Sequence, residues 1–502
     1  MPADSDCKGF DDLCAPVVCE IIQDAGPPAT PDAGPPAVRG TCQPLPEVDC
    51  DDGDPCTDDL CAPATGDCSS VASTLDNDKD GHRAPRPGTL PGDPDACGDD
   101  CDDTSPVALP GGKELCDGVD NDCNGVVDDD ALFQPVGVEV RVSGDIAPAS
   151  PGGLAYSGES YLATYAGGND GFDVYFALLD ETGGKLPPGE QTLTTVNADG
   201  SGGPALWIGD RYGVAWQDRR FDDYEVFFTA LKATGEKAFP DLRLSNANGF
   251  SVNVSLVYNG AEFVAVWQDD RSGSFELFAQ RVSIDAALVG PNVQLTTGSG
   301  FGNEAPAVAA GKQGIGVAWG RGDSLGQVIQ FQVYDTDLAT VGGTLGLTLG
   351  DTQSVYPTVT FNQDRYIVAW YDKSASPKGI WAAVISEQGQ LLVPATPISK
   401  PGPFRSRYPF LRPLGDRVLA IYSDDRDQND GYEIYGHMLN NDLSEKEPEM
   451  RLTFAAGNSI SPVAAFGPNG TLGVLFKDER EGGVDNIWFT GLGCVEPGAP
   501  PP

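Results

Sequence analysis

The sequence predicts an all-β protein: a seven-bladed β-propeller of four-stranded blades, preceded by a disulfide-rich, acidic and largely irregular region. Three observations predict this fold class. Short alternating runs of Val, Tyr, Phe, Trp and Thr recur along the chain, whereas runs with helical periodicity are scarce. One such strand pattern repeats seven times after residue 131. Twelve of the 13 cysteines precede residue 124, in a stretch with few aliphatic residues.

The repeat is defined by an apolar strand that ends in an aromatic residue. Successive aromatics are 51, 51, 52, 51, 52 and 54 positions apart, and they are Tyr165, Trp216, Trp267, Trp319, Trp370, Tyr422 and Phe476. A constant period of about 50 residues with strand-like content is typical of propeller blades. Because these aromatics share one position of the repeat, we expect them in the core between blades and not around a ligand.

Each copy divides into four strands, as the second copy shows. Its predicted strands are residues 204–208, 212–216, 224–230 and 242–245. The seventh copy ends after its third strand, at residues 486–490, whereas residues 137–143 have the pattern of a fourth strand and precede the first copy. We therefore expect this N-terminal strand to complete the last blade and close the ring, because closure removes an open sheet edge.

The composition changes along the chain and predicts four regions. Residues 1–70 are cysteine-rich repeats joined by a Pro/Ala/Gly linker, and residues 71–130 are an acidic metal-binding module. Residues 131–494 are the propeller, whose strands extend from about Pro135 to Cys494, and residues 495–502 are a Pro-rich tail.

The chain carries a formal net charge of −44, from 31 basic and 75 acidic residues. Binding to a phosphate backbone depends on Lys and Arg, so this balance argues against a nucleic-acid partner. Acidic residues clustered with Gly and Asn more often hold hard cations; the alternative is a solvated face that keeps a secreted protein soluble. We expect an unidentified protein or glycan as the partner.

The cysteine-rich region predicts disulfide bonds and therefore an extracellular or cell-surface location; the alternative is a cytosolic protein with reduced thiols. The N-terminus is polar, so no leader is visible, and no run of about 18 apolar residues predicts a transmembrane segment. Cys494 follows the last strand and bonds the preceding module, bonds another chain or stays free. The other cysteines that are candidates for disulfide bonds are Cys50, Cys56, Cys61 and Cys68, which could close one unit among themselves, and Cys97, Cys101, Cys116 and Cys123.

Acidic segments carry the strongest pattern for a metal site. Asp76, Asp78 and Asp80 alternate and are followed by Gly81, which permits the sharp turn of a loop around an ion. The same spacing recurs after residue 119, and neither loop has Glu at its twelfth position, so we expect Asp102 or Asp103 to supply the missing ligand. The candidate ligands are Asp76, Asp78, Asp80, Asp100, Asp102, Asp103, Asp117, Asp120, Asp122, Asn124 and Asp128.

Residues 75–130 resemble the MopE-type metal-binding motif of secreted and cell-surface bacterial proteins. The shared elements are Asp-Cys-Asp-Asp at 100–103, Pro-Gly-Gly-x-Glu at 110–114 and Cys-Asp-Gly-Val-Asp-Asn-Asp-Cys-Asn-Gly at 116–125. The family name implies copper. Carboxylate and amide oxygens suit Ca²⁺ better, and the chain has only 2 His and 3 Met. We therefore expect calcium, with a metal-free acidic disulfide knot and a copper site as alternatives.

A second pattern follows the blade aromatic in four copies, where an Asp precedes an Arg by two positions. The arginines are Arg220, Arg271, Arg426 and Arg480. An acid often opens the next strand, as Glu225 does after Arg220. Because these positions flank one hairpin, we expect cross-strand ion pairs between each arginine and that acid. The alternative is a ring of arginines on one face that binds carboxylates of a ligand.

The sequence predicts a binding protein and not an enzyme, and no residue is assigned a catalytic role. His82 and His437 are its only histidines, which leaves little room for a Ser-His-Asp triad, and no acid pair stands apart from the repeat. We expect a secreted or cell-surface calcium-binding protein that uses its propeller as an interaction scaffold. The alternatives are an extracellular hydrolase of the glycoside type, with its active site at the ring centre, and a structural surface component.

Overall fold

The structure is a computed structural model of the chain. It describes residues 17–22, 39–44, 48–52, 56–62, 65–72, 76–89, 91, 93, 96–112, 114, 119–124, 132–144, 149–168, 171–194, 199–298, 300–323, 326–348, 353–374, 378–427, 431–444 and 448–495. The chain divides into two compact units. Unit 1 comprises Met1–Glu114 and Asp120–Val127, and unit 2 comprises Leu115–Val119 and Asp128–Pro502.

Unit 1 has two antiparallel hairpins within its described residues. Strand β1 (Val17–Ile22) pairs with β2 (Arg39–Pro44), and β3 (Thr57–Cys61) pairs with β4 (Cys68–Ala72). The described residues between 76 and 124 form turns and irregular segments without helix or strand. Their conformation therefore depends on side-chain hydrogen bonds and disulfides, as expected for a short acidic segment with few aliphatic residues.

Unit 2 consists of seven four-stranded antiparallel sheets. It begins with strand β5 (Leu132–Arg141). Blade one contains β6 (Ala149–Tyr156), β7 (Tyr161–Gly167), β8 (Asp173–Leu179) and β9 (Gln191–Thr192); blade two contains β10 (Ala205–Trp207), β11 (Arg211–Phe221), β12 (Asp223–Lys232) and β13 (Leu242–Arg243); and blade three contains β14 (Ser251–Tyr258), β15 (Glu262–Asp269), β16 (Glu276–Ser283) and β17 (Leu288–Gln294). Blade four contains β18 (Gly302–Ala310), β19 (Gly314–Asp323), β20 (Gly326–Asp335) and β21 (Thr340–Gly346), and blade five contains β22 (Ser354–Asn362), β23 (Arg365–Asp372), β24 (Gly379–Ser386) and β25 (Leu391–Pro397). Blade six contains β26 (Ser406–Leu414), β27 (Arg417–Asp424), β28 (Glu433–Asn440) and β29 (Met450–Arg451), and blade seven contains β30 (Ser459–Phe466), β31 (Leu472–Asp478) and β32 (Asn486–Val495) together with β5. A 3₁₀ turn, Pro468–Gly470, precedes β31.

The ring is closed by β5, which pairs with the last strand of the chain. The strand order in blade seven is β30-β31-β32-β5, with Arg141 opposite Trp488 and Leu132 opposite Val495. The first strand of each blade contacts the first strands of both neighbouring blades, which makes an inner ring. The predicted seven-bladed propeller and its closure by an N-terminal strand are thus confirmed.

The repeated aromatics form the core between neighbouring blades. The indole rings of Trp216 and Trp267 are fully buried. Trp267 packs in one cluster with Phe228 of the preceding blade. Burying such a side chain contributes about 2–3 kcal/mol, and the contact repeats around the ring. The prediction that these residues serve the core is confirmed.

Each first strand from blade three to blade seven contains a β-bulge with one residue in the left-handed region. These residues are Asn253, Ala305, Tyr356, Tyr408 and Ser461, with φ between 51° and 57°. A bulge frees a backbone N–H from the ladder. The Ala305 N–H donates to Gln268 Oε1 of the preceding blade at 2.7 Å, and the Ser461 N–H donates to Ser423 Oγ at 3.2 Å. The bulges therefore link successive blades.

A buried carboxylate ends the second strand in most blades, and blade three shows its contacts. Asp269 is 1% exposed and accepts hydrogen bonds from Ser251 Oγ (2.7 Å), Trp267 Nε1 (3.0 Å) and Arg271 Nε (2.7 Å). Burial alone would raise the pKa of Asp269, but Arg271 and the other donors lower it. We call this arrangement the Asp–Arg clasp. It recurs as Asp218 with Arg220, Asp424 with Arg426 and Asp478 with Arg480.

The prediction that these arginines pair across the hairpin with the following acid is wrong. Glu225 does lie opposite Asp218 in the ladder, but its carboxylate meets Arg243 of the outer strand at 2.5 Å. Arg220 instead binds Asp218, two residues away, and Asp241 near the outer strand. The planar guanidinium of Arg220 binds the Asp218 carboxylate through two nitrogens at once. A cross-strand partner at this position does not offer this two-point contact.

Replacing the clasp carboxylate is expected to destabilise the propeller. Asp269→Asn should lower the free energy of unfolding by about 2–4 kcal/mol, because Arg271 would lose its counter-charge in a partly buried site. Since the pKa of Asp269 is lowered in the fold, its contribution is present above the unfolded pKa and is lost as pH falls through the folded one. Urea denaturation at neutral and acidic pH measures both effects.

The matched control is Asp210→Asn. Asp210 also pairs with an adjacent arginine, Arg211, but its side chain is 62% exposed. An exposed pair contributes at most about 1 kcal/mol. Equal losses for the two variants would contradict the structural role of the clasp.

Candidate metal centre

The first acidic loop contains Asp76, Asp78 and Asp80, and its own backbone braces each carboxylate. The Lys79 N–H donates to Asp76 Oδ1 at 2.7 Å, the Asp80 N–H to Asp78 Oδ1 at 3.2 Å and the His82 N–H to Asp80 Oδ1 at 2.7 Å. Gly81, with φ +99°, permits the turn that follows. The second oxygens of Asp78 and Asp80 are buried without a hydrogen-bond partner. The loop thus holds two free carboxylate oxygens in fixed positions.

The Asp-Cys-Asp-Asp segment folds back onto this loop. The Asn77 N–H donates to Asp103 Oδ1 at 2.8 Å, and one oxygen from each of Asp76, Asp78 and Asp103 lies within 4.8 Å of the others. Asp78, Asp80 and Asp100 form a second group of the same size, so Asp78 belongs to both. Four carboxylates therefore surround Asp78.

Asp100 is the most buried member of these groups. Its side chain is 0% exposed, the Asp102 N–H donates to its Oδ1 at 2.8 Å, and its Oδ2 has no hydrogen-bond partner. Burial raises the pKa of Asp100, and the charges of Asp80 and Asp78 add to the effect. A buried carboxylate oxygen in this position needs a positive charge that the described side chains do not supply.

A third group lies around Glu114, which the sequence pattern did not single out as a ligand. One oxygen from each of Glu114, Asp120 and Asp122 lies within 4.8 Å of the others. Glu114 is 7% exposed, accepts the Asp122 N–H at 2.8 Å and has a buried Oε2 without a partner. Burial raises the pKa of Glu114 as well. The signal that could have identified it is its place in the Pro-Gly-Gly-x-Glu element.

The other predicted ligands divide into two sets. Asp102 joins none of the described groups; its Oδ1 accepts the Thr104 hydroxyl at 2.6 Å. Asn124 turns its amide nitrogen toward Asp122 Oδ2 at 3.0 Å and so donates to this group. Asp117 and Asp128 lie outside the described residues, as does Cys116.

Disulfides fix the loops that carry these carboxylates. The bonds are Cys50–Cys68, Cys56–Cys97 and Cys101–Cys123. Cys61 is also disulfide-bonded. Cys101–Cys123 joins the segment of Asp100 to that of Asp122, so the three acidic groups are covalently linked. The expectation that the 50–68 quartet could close on itself fails at Cys56, because the chain brings Cys97 within 5.0 Å of it, Cα to Cα.

The donor set consists mainly of carboxylate oxygens, the ligands that hard cations prefer. The three groups described above offer carboxylate oxygens, and the sulfurs of Cys101 and Cys123 are held in a disulfide. His82 Nδ1 lies 3.0 Å from Asp99 Oδ1, and this hydrogen bond raises the pKa of His82. Oxygen-only sites select calcium, magnesium or manganese over copper.

A comparison with protein families also points to a metal-binding motif in this region. Residues 100–129 match the family Cu-binding_MopE, described as "Putative metal-binding motif". The match includes Asp100, Asp103 and the Glu114 group, whereas the Asp76–Asp80 loop precedes it. No match was found among curated proteins. Within the described parts of the chain, no helix is both long enough and apolar enough to cross a membrane.

Several solved structures are similar to this chain at low sequence identity. A protein of unknown function from Dyadobacter fermentans is 11% identical, with a TM-score of 0.46, over 72% of this chain and 98% of that one. A subtype N10 neuraminidase-like protein from a little yellow-shouldered bat isolate is 12% identical, with a TM-score of 0.40, over 72% and 99%. An endo-arabinanase from Bacillus licheniformis is 11% identical, with a TM-score of 0.31, over 49% and 95%. Similarities at this level do not bear on activity.

The buried charge of Asp100 makes a prediction for the metal-free protein. Asp100→Asn should raise the melting temperature of unit 1 in chelator near neutral pH, because it removes a charge held against Asp78 and Asp80. The pKa of Asp100 is raised, so its charge destabilises the fold above that pKa and stops doing so as pH falls through it. The advantage of the variant should therefore shrink in acidic buffer, as measured by scanning calorimetry.

Asp67→Asn is the control, because Asp67 is exposed and belongs to none of the acidic groups. It should melt as the wild type does at every pH. A lower melting temperature for Asp100→Asn in chelator at neutral pH would show that the Asp100 carboxylate stabilises the loops without any metal.

Proposed function

We propose that this protein is an extracellular calcium-binding protein whose propeller acts as an interaction scaffold. The observation that carries the calcium assignment is the fully buried Asp100, which has one oxygen without a hydrogen-bond partner and groups within 4.8 Å with oxygens of Asp78 and Asp80. A bound cation supplies the positive charge that these oxygens require. Asp76 and Asp103 complete the set around Asp78.

Calcium suits this set better than magnesium does. Calcium takes about six to eight oxygen ligands in variable geometry, whereas magnesium requires a near-octahedral site and keeps several waters. Five aspartates on two loops, with Asp78 shared between the two groups, match the larger and more adaptable ion. The match to a metal-binding motif at residues 100–129 supports a cation in the same region.

Disulfides support an extracellular location. Cys50–Cys68, Cys56–Cys97 and Cys101–Cys123 persist in an oxidising compartment and are rare where thiols are kept reduced. All three lie in unit 1, where few aliphatic side chains are available for a core.

The scaffold role is supported by how the propeller uses its charges. The arginines of the repeat are engaged by carboxylates of their own blade, as Arg426 is by Asp424 and Glu449. Burial alone would lower the pKa of Arg426, but these two acids together raise it. Such residues stabilise blades and leave ligand binding to positions where blades differ. The hydrolase alternative stays a prediction.

Calcium titration of the chelator-treated full-length protein tests the cation assignment. Isothermal calorimetry should show Ca²⁺ binding to the wild type and to the control Asp67→Asn, with an increase in melting temperature. Asp100→Asn should bind Ca²⁺ at least about tenfold more weakly than the wild type, because the number of charged ligands sets affinity at oxygen sites. Glu114→Gln should change only the Ca²⁺ binding at the group formed by Glu114, Asp120 and Asp122.

Cu²⁺ is titrated separately in the same buffer. No heat with Ca²⁺ would overturn the calcium assignment and leave a disulfide-held spacer. Binding of Cu²⁺ alone would show that the donor-type argument was wrong.

A further inference from the structure

Blades five and six differ from the others at the bulge of the first strand. The bulge residue is Asn253, Ala305 or Ser461 in blades three, four and seven, but it is Tyr356 in blade five and Tyr408 in blade six. Large side chains are unfavourable at positive φ, and the fold evidently does not need them there. The two tyrosine rings contact each other, with centroids 4.6 Å apart, and Tyr356 remains 42% exposed. An aromatic pair, of which Tyr356 is exposed and Tyr408 half-buried, thus occupies a position that three other blades fill with smaller residues.

The residue before each bulge also varies between blades. It is Val252, Val355 or Ile460 in blades three, five and seven, Glu304 in blade four and Arg407 in blade six, so among these five blades a positive charge stands at this position only in blade six. The Arg407 guanidinium carbon lies 5.1 Å from the centroid of the Tyr432 ring, and the side chain also interacts with Tyr371. Among the residues that the structure describes, no carboxylate forms an ion pair with Arg407, unlike the arginines of the clasps. Its charge is therefore available to a ligand.

Tyr432 and Arg405 complete this group of side chains, which we call the Tyr–Arg cluster: Tyr356, Tyr408, Tyr432, Arg405, Arg407 and the buried Tyr371. The Tyr432 hydroxyl is buried without a hydrogen-bond partner, as is Arg407 Nε. Arg405 pairs with Asp425 at 2.8 Å, and its side chain is 56% exposed. The cluster therefore offers aromatic faces, unsatisfied polar atoms and a guanidinium at one place on two adjacent blades.

The charge of the cluster is opposite to that of the protein. Burial raises the pKa of Tyr356, Tyr371 and Tyr432, and the charges that act most strongly on these three hydroxyls are Lys373, Arg405, Arg407 and Asp425. Three of these four charges are positive, in a chain with 75 acidic and 31 basic residues. An anionic ligand is therefore drawn to this position and repelled by most of the remaining surface.

We propose that the Tyr–Arg cluster binds an acidic sugar, with the pyranose ring against Tyr356 and Tyr408 and its carboxylate on Arg407. Tyrosine presents an apolar ring face and a polar hydroxyl, which suits a ligand that has both C–H faces and hydroxyl groups. A guanidinium holds a carboxylate through two parallel hydrogen bonds. The inference names a ligand class for the scaffold and rests on that half of the proposed function.

The repeat itself supplies substitutions that the fold tolerates. Arg407→Val places the residue of blade five in blade six, and Tyr408→Ser places the residue of blade seven there. Ile460→Val is the control, because Ile460 is the counterpart of Arg407 in blade seven. Melting curves of the three variants should match that of the wild type.

The probe is a short oligogalacturonate, compared with its fully methyl-esterified form, which has no charge. Calorimetry on the full-length protein should show binding of the acid form and at least tenfold weaker binding of the ester. Arg407→Val should weaken the acid form about tenfold to a hundredfold and leave the ester unchanged, because it removes only the charge-assisted contact. Tyr408→Ser should weaken both forms, and Ile460→Val neither.

The other outcomes separate the proposals. Equal binding of acid and ester, or an unchanged Arg407→Val, would overturn carboxylate recognition. Competition by inorganic phosphate at the same concentration would reduce the cluster to a simple anion site and overturn the sugar assignment. Release of reducing ends from the oligogalacturonate would overturn the scaffold role. Each titration is run with Ca²⁺ and with chelator, so that failure of the calcium site alone leaves sugar binding by the wild type in place.

Discussion

A carboxylate that leaves water must meet positive charge or strong donors, and both units of this protein are organised around that constraint. In the propeller the charge comes from the chain itself, since Asp269 and its counterparts are held by an arginine two residues away. In unit 1 the buried oxygen of Asp100 has no such donor within the described residues. The same requirement is thus met by a side chain in one unit and, as we propose, by a metal ion in the other.

The propeller repeats the Asp–Arg clasp in four of its seven blades, and two of the other blades meet the same need with different partners. Blade four lacks the clasp Asp, and the Trp319 indole N–H donates instead to Asn303 at 2.8 Å. Blade five has Ser374 where the arginine would be, and its hydroxyl donates to Asp372 at 2.9 Å. In these two places a buried group that loses one partner acquires another, whereas the Trp370 indole nitrogen of blade five stays buried without a hydrogen-bond partner. Departures that satisfy no such need, as at Tyr356 and Arg407, are the ones that point to a ligand.

The sequence predicted what depends on periodicity and missed what depends on three-dimensional proximity. The spacing of Trp216, Trp267 and the other aromatics determined the number of blades, because each serves the same contact between neighbours. The closing strand followed from counting strands at the two ends. By contrast, the partner of Cys56 and the role of Glu114 depend on how irregular segments fold back, for which no period exists. The partners of the clasp arginines were missed because a planar guanidinium can bind the Asp two residues before it. This local contact competes with the ion pair across the hairpin that the ladder register suggests.

The closing strand has a mechanical consequence. Because β5 runs antiparallel to β32, Leu132 lies opposite Val495, and the two ends of the propeller leave the ring at the same corner of one blade. Tension applied between those ends pulls the two strands apart across their ladder, so the hydrogen bonds break one after another and not all together. The ring should therefore open under a small pulling force, because its closing ladder is separated from one end, even if heat or urea unfolds all seven blades together.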